Sequence, residues 1–320
     1  MGIPLKYNYR SLRVRWRSTL GTLLGIALVV AVFVMVMSLA QGLRATYLST
    51  GDARNLLVLR KGAMAESSSQ VTAEEVQRIK FLPGIEPDET GTPLASAEMI
   101  ILITLQRASG GKAHVQVRGL GPLGHKLRPQ IRIAEGRRFT PGLRECIVSQ
   151  SLARRFVECR LGQTFRSGKH AWHVVGTFDA QQSAYDSEIW LDADEAREAF
   201  NRSFYGSISI RTKDDTAAAG LIERIANDRS MRLRALTEAE YYREQTKTAA
   251  PIQLFGACLA VIMSLGAAFA AMNTMYASVA ARARDIGTLR VLGFKRRGIY
   301  ASFLLESLLI AVVGGLIGCG

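Results

Sequence analysis

The chain has 320 residues, of which 48% are hydrophobic, and a net charge of +14. Its length would allow two soluble domains, but long uncharged stretches exclude a wholly soluble protein. The basic excess does not indicate nucleic-acid binding, because it comes mostly from two short segments beside these stretches and not from one folded face.

Residues 1–17 are predicted to form a cytoplasmic amphipathic segment, with five basic residues and no acidic one. In a helix, four apolar or aromatic side chains would share one face, the pattern of helices that lie along a membrane surface. These four are Leu5, Tyr9, Leu12 and Trp16. The segment also fits a simple positive flank with an aromatic anchor, and the two interpretations are compatible.

Residues 18–43 contain no charged side chain and predict the first transmembrane helix. A hydrocarbon core about 30 Å thick needs roughly 20 apolar residues in a helix. The stretch is longer than the apolar core of a signal peptide, although Ser-Leu-Ala at 38–40 resembles a cleavage site. Gly21 and Gly25 are four positions apart, a spacing that lets two membrane helices approach closely.

Residues 44–250 are predicted to form a large mixed α/β domain that ends in a helical stalk. Short apolar runs such as Asn55–Leu59 predict strands, and Ser-Gly-Gly at 109–111 predicts a hairpin turn. Thr72 followed by Glu75 predicts a helix that begins with a capping box.

Two cysteines of this domain, Cys146 and Cys159, could form a disulfide in an oxidising compartment. Their spacing in the sequence does not establish that their Cα atoms come close enough for one. Both a disulfide and two free thiols therefore stay open.

The sequence carries no motif for enzymatic chemistry. It lacks the Gly-x-x-x-x-Gly-Lys-Ser/Thr loop, so we do not expect it to bind ATP by that route. Its four histidines form no metal-binding motif, and His170 and His173 are expected to lie on opposite faces of a strand as surface residues. We expect no enzyme activity, no metal site and no cofactor in this chain.

Two more transmembrane helices are predicted, over residues 251–281 and 298–320. The first of these contains Asn273, and the second contains one acidic residue, Glu306. Both are expected as polar groups within the membrane, where an ionisable side chain needs a partner or a headgroup.

Charge predicts the orientation, because short segments rich in Lys and Arg stay in the cytoplasm. The N-terminus and residues 282–297 are therefore placed inside, and residues 44–250 outside. The predicted fold class is an α-helical membrane protein with three transmembrane helices and a large extracytoplasmic mixed α/β domain.

The inward-facing linker predicts a short helix over 284–294. One face would carry Ile286, Leu289 and Leu292 or Gly293, and Arg284 and Arg290 would flank it. Asp285 favours the start of such a helix and Gly293 its end. An apolar patch bordered by charge is typical of a contact site, whereas a positive turn without a partner is the alternative.

Three segments in the last forty residues form a recognisable pattern. They are Ala-Arg-Asp-Ile-Gly-Thr-Leu-Arg-Val-Leu-Gly-Phe at 283–294, Phe-Leu-Leu-Glu-Ser-Leu-Leu at 303–309 and Gly-Gly-Leu-Ile-Gly at 314–318. The pattern resembles the FtsX-type permease signature of ABC transporters, and Asn273, Met275 and Arg282 also fit it. Residues 145–156 and 161–176 loosely resemble MacB-like periplasmic domains. The chain thus resembles an ABC transporter permease of the MacB/FtsX (DevC/Lol-like) family.

The resemblance implies a permease subunit that couples ATP hydrolysis by a separate ATPase to mechanical motion of the extracytoplasmic domain. The implied task is export or extraction of a lipid, lipoprotein, peptide or drug. One alternative is an FtsX-like signalling permease that regulates an extracytoplasmic partner without transporting a substrate. Another is an anchored binding domain that works without an ATPase. Members of this family have four spans, so three predicted spans imply a fragment or a truncated product.

The resemblance also implies partners and site residues. The partners are an ABC-type ATPase subunit that binds ATP and Mg, a second copy or a paralogous permease, and a periplasmic adaptor protein. The implied location is the bacterial cytoplasmic (inner) membrane, which the chain would cross several times. The implied ATPase-coupling residues are Arg284, Asp285, Ile286, Leu289, Arg290, Leu292, Gly293 and Phe294. The expected residues for membrane-helix packing are Gly21, Gly25, Gly314 and Gly318.

Overall fold

The computed structural model describes the chain over residues 16–48, 50–181, 183–247, 250–281, 283–291 and 296–320. Most of the predicted amphipathic segment, residues 1–15, lies outside the described residues. The end of the predicted coupling segment also lies outside them, namely Leu292, Gly293 and Phe294.

Nine α-helices and ten β-strands lie within these ranges. The helices are α1 (Trp16–Leu48), α2 (Ala73–Lys80), α3 (Gln150–Arg155), α4 (Ala193–Ala199), α5 (Asp215–Asn227), α6 (Glu238–Lys247), α7 (Ala250–Ala281), α8 (Ala283–Val291) and α9 (Arg296–Cys319). The strands are β1 (Asn55–Arg60), β2 (Ala95–Gln106), β3 (Lys112–Leu120), β4 (Arg132–Gly136), β5 (Glu145–Ser149), β6 (Thr164–Ser167), β7 (His170–Asp179), β8 (Glu188–Asp192), β9 (Ser207–Arg211) and β10 (Leu233–Thr237).

The chain divides into two compact units. Met1–Leu43 and Thr248–Gly320 form one, here called the helical unit, and Arg44–Lys247 forms the other, here called the sheet domain. The apolar segments are thus separated from the strand-rich part of the chain.

Two stretches of the helical unit are long and apolar enough to cross a membrane. They are Thr19–Gly42 within α1 and Leu254–Ala277 within α7, each of 24 residues. Few of their residues are buried in the structure. Helix α9 contains a shorter apolar stretch, Ser307–Cys319.

The sheet domain is built on one mixed sheet. Its strand order is β10-β1-β9-β2-β3-β8-β5-β7-β4, and β6 pairs with β7. The β3–β8 and β5–β7 pairs are parallel, whereas the other pairs are antiparallel. The domain is therefore the mixed α/β body that the sequence predicts.

Two main apolar cores lie on this sheet. One packs α2 and α5 against β1, β9 and β10, with Ile79, Ile210 and Ile225 fully buried. The other packs α3 and α4 against β5, β7 and β8, with Val148 and Trp172 fully buried. Strand β3 contributes to the second core and pairs with β2, so it connects the two halves of the sheet.

Local signals in the sequence correctly predict two features of the domain. The Thr72 side chain accepts a hydrogen bond from the Glu75 amide at 3.2 Å, and the Glu75 carboxylate accepts one from the Thr72 amide at 2.8 Å. The predicted hairpin joins β2 to β3, with φ of 90° at Gly110 and 83° at Gly111, values that glycine adopts most readily. Strand β10 has no counterpart in the sequence interpretation, which places no strand between α5 and the stalk.

Cys146 and Cys159 are free cysteines buried in the second core. Burial raises the pKa of the Cys146 thiol well above its ordinary value and raises the pKa of Cys159 to about 12. Because the thiolate is the reactive form of cysteine, both side chains act as apolar packing groups.

Candidate functional site

Helix α8 follows α7 in the chain and precedes α9, and it covers most of the predicted coupling segment. Arg284 and Arg290 are exposed and Ile286 is half-buried. The Thr288 hydroxyl donates a hydrogen bond to the Arg284 carbonyl oxygen at 3.1 Å. The side chains of the other predicted coupling residues lie outside the described part of the chain: Asp285, Leu289, Leu292, Gly293 and Phe294. The described face of α8 thus offers positive charge close to an apolar side chain.

The structure describes the side chain of only one of the two predicted intramembrane polar residues. Asn273 is exposed on α7, and the side chain of Glu306 lies outside the described residues. Beside Glu306, the Ser307 hydroxyl donates a hydrogen bond to the Met275 sulfur at 3.3 Å. This hydrogen bond joins α9 to α7.

Two glycines of α9 lie directly against α1. A Cβ atom added at Gly314 would lie 3.1 Å from the Leu23 carbonyl oxygen and 3.1 Å from Ile26 Cβ. One added at Gly318 would lie 2.5 Å from the Ala27 carbonyl oxygen. Small residues of this kind let two helix backbones approach closely.

The glycine pair of α1 has a different environment. A Cβ added at Gly21 or Gly25 meets nothing within 4 Å. Within the described chain, these two residues therefore leave one face of α1 uncovered. Gly314 and Gly318, in contrast, lie in the contact between α9 and α1.

We predict that Gly318→Leu destabilises the helical unit by about 1–3 kcal/mol, the usual cost of overpacking. The thermal midpoint of the detergent-solubilised chain should fall. Gly266→Leu is the matched control, because it adds the same side chain on α7 where an added Cβ meets nothing within 4 Å, and it should leave the midpoint nearly unchanged. Equal losses in both variants would contradict the α1–α9 contact.

A cluster of buried charges lies within the sheet domain. We call it the charge network, and its members are Glu66, Glu98, Arg118, Arg128, Glu188 and Glu238. At most 6% of each of these side chains is exposed. Buried charges are costly unless they are paired and hydrogen-bonded, so the pairing of the network determines its stability.

Arg118, on the linking strand β3, is the centre of the network. Its Nε and Nη2 donate to the two Glu188 carboxylate oxygens at 2.8 and 2.9 Å. Its Nη1 donates to Glu98 at 2.9 Å and to Glu66 at 3.0 Å. The Trp190 indole donates to Glu188 at 2.7 Å. One guanidinium thus holds carboxylates from both halves of the sheet.

Arg128 connects this centre to the stalk helix α6. Its two terminal nitrogens donate to both oxygens of Glu98 at 2.7 and 2.8 Å. Its Nη2 also lies 4.0 Å from Glu238 Oε1, at the first residue of α6. Glu238 Oε1 accepts from the Tyr185 hydroxyl at 2.7 Å. The network therefore extends from the middle of the sheet to the start of the stalk.

Both chain connections of the domain meet at Glu238. The Asp52 amide and the Asn55 side-chain amide donate to Glu238 Oε2 at 3.2 and 3.0 Å. A Cβ added at Gly51 would lie 2.8 Å from the Ala239 backbone, so the chain leaving α1 passes directly over the start of α6. We call Thr50–Asp52 with Glu238 and Ala239 the neck.

Within the network, the pKa values of Glu98 and Glu66 shift in opposite directions. Burial opposes ionisation of Glu98, but the charges of Arg128 and Arg118 outweigh it and lower the Glu98 pKa. Burial raises the pKa of Glu66, although Arg118 opposes this shift, and the nearby charge of Glu98 raises it further. Glu98 is therefore the firmly ionised member, and Glu66 is a member that takes a proton more readily.

The sequence interpretation missed the whole network. Three of its members stand in or beside apolar strand sequence, where a charge is unusual: Glu98 in β2, Arg118 in β3 and Glu188 in β8. Such charges within apolar runs are the signal that could have indicated buried pairs. The arrangement joins the neck to both halves of the sheet through buried charged pairs.

Two family models match the chain. A model described as MacB-like periplasmic core domain matches residues 19–228, and one described as FtsX-like permease C-terminal matches residues 257–320. The first covers more than half of the chain, and together the two include α1, the sheet domain up to α5, and the helices from α7 onward.

Curated relatives match over nearly the full chain. The macrolide export ATP-binding/permease protein MacB 1 of Aeromonas hydrophila is 26% identical over 316 residues, which are 93% of this chain and 48% of that protein. The uncharacterized ABC transporter permease YknZ of Bacillus subtilis is 25% identical over 322 residues, 93% of this chain and 80% of that protein. The chain spans about half the length of the MacB relative.

Solved structures of similar domains are also found. The periplasmic region of MacB from Actinobacillus actinomycetemcomitans aligns with a TM-score of 0.46 and 12% identity, covering 60% of this chain and 92% of that one. The extracellular domain of YknZ from Gram-positive bacteria aligns with a TM-score of 0.42 and 15% identity, covering 57% of this chain and 100% of that one.

Proposed function

This chain belongs to the MacB/FtsX family of ABC transporter permeases, and from this membership we propose that it is a membrane subunit driven by a separate ATPase. ATP hydrolysis by that partner would move the helical unit, and the sheet domain would follow. The cargo would be a lipid, lipoprotein, peptide or drug taken from the outer leaflet or the periplasm. The MacB relative is named as a macrolide export protein, so we propose export as the function to test first and signalling as the alternative.

The observation that carries this proposal is α8, a short helix with exposed arginines between the apolar helices α7 and α9. Its basic charge and that of Arg296 and Arg297 would keep it in the cytoplasm, and the sheet domain would then lie outside. Helix α9 would be the third span of a multi-pass protein of the inner membrane. A soluble ATPase could then reach α8.

The neck and the charge network suggest how motion would travel. Thr50–Asp52 follows α1, Glu238 begins α6, and these two segments touch. A relative shift of the connected helices would act on Glu238 first. Through Arg128 and Glu98 it would reach Arg118, which binds both halves of the sheet. Bidentate pairs of this kind resist changes in geometry, so the domain would move as a body.

The open face of α1 supports pairing with a second permease subunit as a further part of the proposal. Gly21 and Gly25 have no neighbour within 4 Å of an added Cβ, which fits close approach by a second permease copy or a paralogue. A periplasmic adaptor protein would be an additional partner of the sheet domain.

Co-purification tests the proposed function. The full chain, extracted in mild detergent from cells that produce it, is expected to bring along a soluble protein with a phosphate-binding loop, in a stoichiometric amount. ATP hydrolysis in the purified sample should depend on that protein. The extraction is repeated on membranes treated beforehand with a chemical crosslinker. If the chain is recovered without an ATPase from treated and untreated membranes alike, the proposed function is wrong.

A further inference from the structure

Three potential metal ligands meet at one corner of the sheet domain, away from the charge network. His170 begins β7, and Glu195 and Glu198 lie one helical turn apart on α4. One ligand atom from each of these side chains lies within 4.8 Å of the other two. His170 Nε2 and Glu198 Oε1 are 3.7 Å apart.

A second observation is independent of this proximity. Only 9% of the His170 side chain is exposed, so His170 is not the surface residue that the sequence analysis expects. Its Nε2 atom is buried without a hydrogen-bond partner, and so is Glu195 Oε2. The large majority of buried side-chain polar atoms have such a partner. Two buried ligand atoms without a hydrogen-bond partner, in a group of three side chains this close together, fit a bound cation.

The backbone holds the ligands in place from both sides. The Lys169 amide donates to the Ala199 carbonyl oxygen at 2.9 Å, which fixes the β6–β7 turn against the end of α4. Gly168 in that turn has a φ of 65°, and an added Cβ would lie 2.5 Å from the same oxygen. At the other end of α4, Asp192 accepts from the Glu195 amide at 3.0 Å. Ligands on fixed secondary structure need little rearrangement to bind a metal.

We propose that His170, Glu195 and Glu198 bind a divalent transition-metal ion, with Zn²⁺ as the species tested first. An imidazole nitrogen with two carboxylates suits zinc, whereas Ca²⁺ and Mg²⁺ prefer oxygen ligands alone. Bonds of about 2.0–2.1 Å in tetrahedral geometry require ligand atoms about 3.3 Å apart. Glu198, whose side chain is 69% exposed, is free to close the remaining gap. Three protein ligands leave the fourth position to water.

One basic group competes with the metal. Arg144 Nε lies 3.9 Å from Glu195 Oε2, and the Arg144 side chain is 59% exposed. An ion pair of this length with one exposed partner is weak and is screened by salt. The metal displaces Arg144 toward solvent. It then clamps the β6–β7 hairpin to α4, a structural role that does not depend on transport.

Zinc titration of the full chain tests the site. The detergent-solubilised protein, purified through a tag without histidine and treated with a chelator, is titrated with Zn²⁺ alone by calorimetry. We expect one ion per chain. His170→Ala and Glu195→Gln each weaken binding at least about tenfold, since even changes to outer-shell partners cost about 10–100-fold. Zinc should also raise the thermal midpoint of the wild type but not of these variants.

The matched control is His173→Ala, because His173 is exposed on the opposite face of the same strand. Its Nδ1 lies 3.1 Å from the Thr164 hydroxyl oxygen. This variant should keep the affinity of the wild type. Glu198→Gln provides a variant at an exposed position that cannot disturb the core, so weaker binding there supports the site even where His170→Ala fails to fold. Absence of saturable zinc binding, or affinity unchanged in Glu198→Gln and Glu195→Gln, overturns the proposal.

Discussion

Glu98→Gln is expected to lower the free energy of unfolding of the sheet domain by about 3–5 kcal/mol. The Glu98 side chain is fully buried and accepts hydrogen bonds from Arg128 at 2.7 and 2.8 Å and from Arg118 at 2.9 Å. A neutral amide removes the charge that balances two buried guanidinium groups and places an N–H toward their donors. An uncompensated buried charge is one of the few single changes that costs this much.

Denaturant unfolding of the full chain in detergent measures this loss, with tryptophan fluorescence as the readout. Trp172 and Trp190 are buried in the sheet domain, and Trp190 donates directly to the network through Glu188. Glu244→Gln is the matched control, because it removes an exposed ion pair with Arg234 at 3.4 Å. It should change the free energy by less than about 1 kcal/mol. Comparable losses in the two variants would show that the network is not tightly paired.

Glu66→Gln distinguishes the members of the network. The Glu66 pKa is raised in the folded chain, so the native state binds this proton more tightly than the unfolded state does. The stability that results is present below the unfolded pKa of Glu66 and is lost as the pH rises through its folded pKa. The Glu98 pKa is lowered, so its contribution is present above its unfolded pKa and is lost as pH falls. Glu66→Gln should therefore cost less than Glu98→Gln at neutral pH and should remove the decline with rising pH. A Glu66 variant as unstable as the Glu98 variant would contradict this assignment.

Features that depend on residues close in the chain could be predicted from the sequence, whereas features that depend on distant contacts could not. The Thr72–Glu75 capping box and the glycine hairpin between β2 and β3 depend on residues close in the chain, and both are predicted correctly. The network depends on contacts such as Arg118 with Glu188, which are 70 positions apart. No local pattern specifies that pairing.

The same reason explains β10 and the proposed metal site. Strand β10 is only five residues long and forms at the edge of the sheet, where β1 provides its hydrogen bonds. His170 and Glu195 come together only because the β6–β7 turn packs on the end of α4. A histidine in a strand and a carboxylate on a later helix form no sequence motif, so a search for motifs finds neither.

Ile286→Asp is expected to abolish recovery of the partner ATPase. If α8 is the coupling helix that the family resemblance implies, Ile286 and Leu289 would insert into an apolar groove of the ATPase, and Arg284 and Arg290 would contact its surface. Burying an unpaired carboxylate there costs several kcal/mol, and each 1.4 kcal/mol is about tenfold in affinity. Binding should therefore weaken by at least about a hundredfold. The ATPase that co-purifies with the wild-type chain, quantified per permease, is the measurement.

Thr288→Asp provides the matched control, because it adds the same charge to α8 two residues away, on the opposite face of the helix. Thr288 is already exposed, and its hydroxyl bonds only within the helix to Arg284. The control should retain most of the ATPase, so that the contrast reports the face of the helix and not its charge. Equal recovery of the ATPase with both variants would show that the ATPase does not contact the face of α8 that carries Ile286. Equal loss would show that α8 contributes charge alone, because a groove specific for Ile286 tolerates a carboxylate on the far side.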